Sequence, residues 1–184
     1  MTQIKINYEY EVLLSLLKKE MHGRELAKEL KTSLTRIQSI LNELRQQNAL
    51  DYKAEGRNHV YFIKKNIVAK AYILNAENYK LTKLLRKYTF LEPLFKDIAE
   101  KYHDKMVVLF GSYAKFIPKD DSDIDIYVGT TDKKAEETIK NINEKISAKT
   151  GEFNKGDLLM QEIIKNHVLV QGGELFYEKL GFFK

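Results

Sequence analysis

The chain has 184 residues, enough for one medium domain or two small ones, and 43% of them are hydrophobic against 31% charged, which excludes a disordered chain. There is no cysteine, which excludes disulfides and thiolate metal sites. No apolar run approaches the roughly 20 residues that span a bilayer, and Met1–Lys19 has neither the uninterrupted apolar core nor the cleavage site of a signal peptide, so a cytoplasmic protein with no membrane partner is expected.

The formal net charge of +5 is unevenly placed. Residues 1–103 hold 19 Lys and Arg against 12 Asp and Glu, a net of +7, while residues 104–184 hold 12 against 14, a net of −2. Two modules with different partners are expected, the basic one facing nucleic acid.

In chain order, residues 8–20 place Val12, Leu13, Leu16 and Leu17 at helical spacing, and Gly23–Leu30 reads as a second short helix. Ser33 caps a third helix running to about Gln47. Its apolar stripe is Ile37, Ile40, Leu41 and Leu44, opposite Thr35, Arg36, Gln38, Ser39, Asn42 and Arg45. Strands Leu50–Ala54 and His59–Ile63 flank a tight turn, where Gly56 supplies a positive φ. Residues 66–103 read as mainly helical. From Lys105 the pattern becomes α/β: a buried strand at Met106–Phe110, an alternating strand through Ile124, Ile126 and Val128, and helices around Ala135–Ile142 and Leu158–Ile164. Short strands are expected at Val168–Val170 and Leu175–Tyr177.

The chemistry-bearing segment is Gly111-Ser112-Tyr113-Ala114-Lys115 followed by Ser122-Asp123-Ile124-Asp125. Gly111 lets backbone approach a phosphate at the end of a strand, and Ser112 offers a hydroxyl and amides at a helix start. Asp123 and Asp125 lie two apart on a strand, so their carboxylates share a face and suit Mg²⁺ or Mn²⁺. Separately, a Gly-Ser turn and an Asp-x-Asp pair are ordinary features; their combination in a strand–turn–helix–strand context is not. His22, His59, His103 and His167 form no metal-ligand spacing.

Gly111–Asp125 resembles the signature of the minimal nucleotidyltransferases of the DNA polymerase β superfamily: G-S-x-A-[RK]-G, five variable residues, then S-D-[IVL]-D. The spacing matches without a gap, and Phe116 stands where the family usually has Gly. The resemblance implies that Gly111 and Ser112, with Lys115 and Ser122 beside them, bind the triphosphate of an NTP. It also implies that Asp123 and Asp125 bind the metals. Active members add a third carboxylate on a later strand. A strand at Ile146–Thr150 would put Ser147 there, and one at Glu152–Lys155 would put Glu152 or Asn154 there; Asp157 is a remoter choice. Glu152 is the preferred third acid.

The N-terminal module resembles the winged helix-turn-helix regulators of prokaryotes. The resemblance implies that Ser33, Thr35, Arg36, Gln38, Ser39 and Asn42 face the major groove of duplex DNA, and that Arg57, Asn58 and His59 form the wing tip.

The expected protein is α+β, archaeal or bacterial, and a homodimer. It has a winged helix over 1–65, a helical connector over 66–103 and a small nucleotidyltransferase fold with a mixed sheet over 104–184. Three functions are open: NMP transfer from NTP to an acceptor hydroxyl, nucleotide sensing without catalysis, or an antitoxin that modifies a HEPN-like toxin.

Overall fold

The computed structural model describes residues 6–56 and 58–183. The chain divides into two compact units, Met1–Tyr79 with Phe182–Lys184, and Lys80–Gly181. Residues 66–103, read from sequence as a connector, are divided between them.

The first unit contains α1 (Tyr8–Leu16), β1 (Met21–His22), α2 (Gly23–Glu29), α3 (Leu34–Gln46), β2 (Leu50–Glu55), β3 (Asn58–Ile63) and the first turns of α4 (Ile67–Lys87). The Asn7 side chain caps α1 by accepting the Glu9 and Tyr10 amides at 3.0 and 3.3 Å. The helix stops short of the expected residue 20 because Lys18, Lys19 and Glu20 are exposed and bury nothing. Met21, only 1% exposed, is instead drawn into a ladder opposite Tyr61. Ser33 caps α3 as expected, its Oγ accepting the Arg36 amide at 3.3 Å, and Ile37, Leu41 and Leu44 bury one face completely.

The β2–β3 hairpin pairs Leu50 with Ile63 through to Glu55 with Asn58, and Gly56 turns it at φ 59°. The order β1-β3-β2 completes a three-stranded antiparallel sheet. Three helices followed by an antiparallel hairpin make a winged helix. Tyr79 ties α4 back to α1: its hydroxyl donates to Glu11 at 2.9 Å and accepts the Asn7 amide at 3.2 Å. Burial, chiefly, pushes that hydroxyl up to about 12.

The second unit contains the rest of α4, then α5 (Leu91–Lys101), β4 (Val107–Leu109), α6 (Gly111–Ala114), β5 (Ile124–Val128), α7 (Ala135–Lys140) and β6 (Ile146–Thr150). It ends with α8 (Leu158–Lys165), β7 (Val168–Gln171) and α9 (Gly173–Leu180). The sheet order is β6-β5-β4-β7, with β5 and β6 parallel and the other pairs antiparallel, so the sheet is mixed. Ile124, Ile126 and Val128 enter one core with Leu84, Leu91, Phe95, Ile98 and Ile139. The period of two then sends Asp125 and Tyr127 to the other face.

Leu175–Tyr177 is not a strand. It lies inside α9, where Phe176 is fully buried and Tyr177 nearly so. A three-residue apolar run carries no period of its own, and burial in a helix wins. Among the described residues, no helix is long and apolar enough to cross a membrane.

The two faces of α3 should behave differently on truncation. Leu41→Ala should cost roughly 2–5 kcal/mol, and exposed Gln38→Ala about 0.5 kcal/mol or less, in chemical denaturation followed by circular dichroism.

Candidate nucleotide and metal site, and candidate nucleic-acid face

The centre of the site is where β4 runs into α6. The pairing of Leu109 with Ile126 continues one residue further, as the Phe110 amide donates to the Asp125 carbonyl at 2.9 Å. Gly111 therefore falls over the Asp125 side chain. Its φ is +70°, and a Cβ there would lie 2.0 Å from Asp125 Oδ2 and 2.9 Å from Cγ. Only glycine satisfies both constraints. The turn that brings Ser112 into place is thus built directly against a carboxylate.

The loop that follows is closed by its own polar groups. Ser122 Oγ accepts the Lys119 amide at 2.8 Å, and the Ser122 amide donates to the Lys119 carbonyl at 3.1 Å. Ser122 thus shapes the loop that delivers Asp123. Phe116 takes φ +61°, the conformation glycine would favour in that position. The Phe116 amide donates to Tyr113 O and the Ile117 amide to Ser112 O, a Schellman closure of α6. The Phe116 ring packs against the core, and Lys87 Nζ donates to its carbonyl at 3.1 Å. The departure from the family pattern leaves the turn intact.

Asp123 is exposed just before β5, and Asp125 is half-buried on it. Burial first, and then the Asp123 charge, raise the Asp125 carboxyl above its ordinary value; a hydrogen bond from the Ser147 hydroxyl works the other way. The donors are hard oxygens, as Mg²⁺ requires. Among the described residues, however, no group of three or more acidic, His or Cys side chains could hold a metal ion. Two carboxylates suit a Mg²⁺ that brings its remaining ligands as water and nucleotide phosphates.

The sheet shows where the two expected third-acid positions lie. Parallel pairing sets Ser147 opposite Asp125, between buried Ile146 and Ala148. Glu152, expected beside the Asp pair, is exposed in the loop after β6 ends at Thr150. It lines a cleft of about 370 Å³ with Lys105, Gly129, Thr130 and Lys179. At about 3.3 Å per residue, the stretch from Ser147 to Thr150 alone carries the chain roughly 10 Å towards the far end of the strands. Asp157 stands at the N-cap of α8, but its carboxylate accepts from Asn154 Nδ2 at 3.0 Å.

An acid that the motif does not mark does reach the site. Glu162 on α8 pairs with Lys115 at 3.2 Å, and its charge bears on Asp125. Nothing local in the sequence marks it, because its partner comes from a distant element.

In the first unit, Ser33, Thr35, Arg36, Gln38, Ser39 and Asn42 are all exposed, as are Asn58 and His59 on the hairpin. Arg57 lies outside the described residues. Gln38, Asn58 and His59 line one cleft of about 480 Å³ with His22, Arg24 and Tyr61, so α3 and the hairpin share a concave surface. Arg45, placed by sequence on the same polar face, is instead partly buried with its guanidinium over the Tyr52 ring at 4.3 Å. Tyr52 also stacks on His59 at 3.8 Å.

The raised carboxyl of Asp125 has a sign. The folded protein holds that proton more tightly than the unfolded chain, so the contribution favours folding below the ordinary carboxylate range and is lost as pH rises through the raised value. Metal-free Asp125→Asn should therefore melt above wild type at pH 7, with the difference shrinking towards pH 4. Gly111→Ala should cost about 2 kcal/mol or more, part of which returns in Gly111→Ala with Asp125→Ala. Thermal unfolding of the set checks both.

Residues 95–179 match a family model described as "Polymerase beta, Nucleotidyltransferase". No curated protein matches the sequence at significance. Among solved structures, the chain is similar to the adhesin competence repressor AdcR of Streptococcus pyogenes. The identity is 18% and the TM-score 0.41, over 50% of this chain and 69% of that one. It is also similar to a point mutant of Lactococcus lactis ZitR, at 16% identity and TM-score 0.38, over 50% of this chain and 63% of that one. Residues 95–179 carry a nucleotidyltransferase domain of the polymerase beta family, in one chain with an N-terminal winged helix.

Proposed function

We propose that this chain is a DNA-binding regulator whose C-terminal domain binds an NTP with Mg²⁺ and senses it without transferring its nucleotide. The observation that carries this reading is Ser147, the residue paired with Asp125 across the parallel strands. Transfer needs a group that holds the activating metal or takes the proton of the acceptor hydroxyl, and such a group typically contributes about 10²–10⁴-fold in rate. Serine is neutral, and it stands opposite Asp125 in the ladder. Asp123 and Asp125 retain what binding requires: two oxygen donors beside the Gly111-Ser112 turn. Mg²⁺ there would neutralise phosphate charge, while Ser112 and the amides of α6 would orient the phosphates.

Two substitutions test the site. Asp123→Asn with Asp125→Asn should abolish Mg²⁺-dependent NTP binding while leaving the fold intact. Ser147→Asp should bind Mn²⁺ about tenfold tighter or more, because a third carboxylate joins the set; paramagnetic titration reads this directly. Unchanged NTP binding in the double variant would contradict the reading, as would wild-type pyrophosphate release that the double variant loses.

The proposed partner of the first unit is duplex DNA, bound as a homodimer with α3 in the major groove. The exposed polar face of α3 and the net +7 of residues 1–103 support it. Binding should weaken steeply with salt, and Arg36→Ala should cost roughly 1–3 kcal/mol if Arg36 reads a base edge. Absence of binding to any fragment of a genomic library at low salt would contradict it.

A further inference from the structure

Lys115 closes the turn that follows Ser112, and its ammonium is already engaged. Its Nζ lies 3.2 Å from Glu162 Oε1. The same carboxylate is near enough to Asp125 for its charge to bear on that carboxyl. Glu162 thus faces the candidate site from α8, an element that contributes nothing to the Gly-Ser and Asp-x-Asp motif.

The two side chains remain 36% and 50% exposed. An ion pair this open contributes little to stability and separates at little cost. An incoming triphosphate meets three carboxylates, Asp123, Asp125 and Glu162. Mg²⁺ answers the first two. Among the contacts described at the turn, Lys115 is the cation set against Glu162, and phosphate oxygens offer that ammonium a stronger, charge-assisted set of acceptors than one carboxylate does.

We propose that Glu162 stands in for a nucleotide phosphate in the ligand-free protein, occupying Lys115 until a triphosphate displaces it and so setting how tightly the site takes nucleotide. This rests on the nucleotide-binding reading above. Glu162 acts here as an affinity-setting residue: it neither holds the metal nor touches the reacting atoms.

The test is calorimetric titration of the full chain with non-hydrolysable ATP, GTP, CTP and UTP analogues, each with Mg²⁺. Glu162→Gln, an isosteric change at an exposed position, should bind the preferred analogue about three- to fivefold tighter than wild type, the size expected when one exposed ion pair no longer has to open before the ammonium meets phosphate. In a Lys115→Ala background the same change should gain less than about twofold, because the ammonium it releases is gone. An unchanged or weaker Glu162→Gln overturns the inference alone, a weaker one meaning that the carboxylate helps hold the metal. A full gain that persists without Lys115 also overturns it. If neither wild type nor Glu162→Gln binds any analogue, the nucleotide reading falls and the inference with it; binding by Glu162→Gln alone supports both.

Discussion

The second unit is organised around one close approach, the backbone of Gly111 against the carboxylate of Asp125. A Cβ at 111 would stand 2.0 Å from Oδ2, so the Gly-Ser turn and the acidic strand can only be built together. That contact lies at the first residue of α6. It also half-buries Asp125. Burial and the neighbouring Asp123 make the ionised carboxyl costly, and the cost falls when a cation arrives. Unfavourable charge is thus held where a metal-bound nucleotide would relieve it.

Around that contact, the rest of the sheet decides what the site can do. The parallel pairing of β5 with β6 presents a hydroxyl to Asp125 at the position where the motif's resemblance implies an acid. The chain after β6 carries Glu152 away from the acidic end, and α8 returns with Glu162, which binds Lys115 instead of joining the carboxylates. The site thus gathers Asp123, Asp125, the Ser147 hydroxyl and a Lys115 paired with Glu162. The residue set opposite Asp125 across β5 and β6 is Ser147, and on the reading proposed above such a site binds without turning over.

How much of this was legible in the sequence depends on the range of the interaction. Ser33 as a helix cap, the α3 stripe of Ile37, Leu41 and Leu44, the Gly56 turn and the Gly111–Asp125 motif are local patterns, and each is found where its spacing puts it. The two-residue β1 exists only because Met21 has Tyr61 to pair with, and no local pattern announces it. The choice between Ser147 and Glu152 turned on strand register, which is set by β5, an element remote in sequence. Arg45 had the right spacing for the polar face of α3, but Tyr52 on the neighbouring strand captures its guanidinium. Leu175–Tyr177 is too short to show a period, so its helix appears only once Phe176 has a core to fill.

On the proposed function, the C-terminal domain binds nucleotide and leaves it intact. Phosphorus NMR of the full chain with Mg²⁺ and each hydrolysable NTP, with duplex DNA and whole-cell RNA and protein supplied as acceptors, tests it most directly. The expected result is broadened or shifted NTP resonances that lose intensity no faster than with Asp123→Asn/Asp125→Asn, in which they return to free values. Growth of a pyrophosphate resonance that needs both aspartates would contradict it.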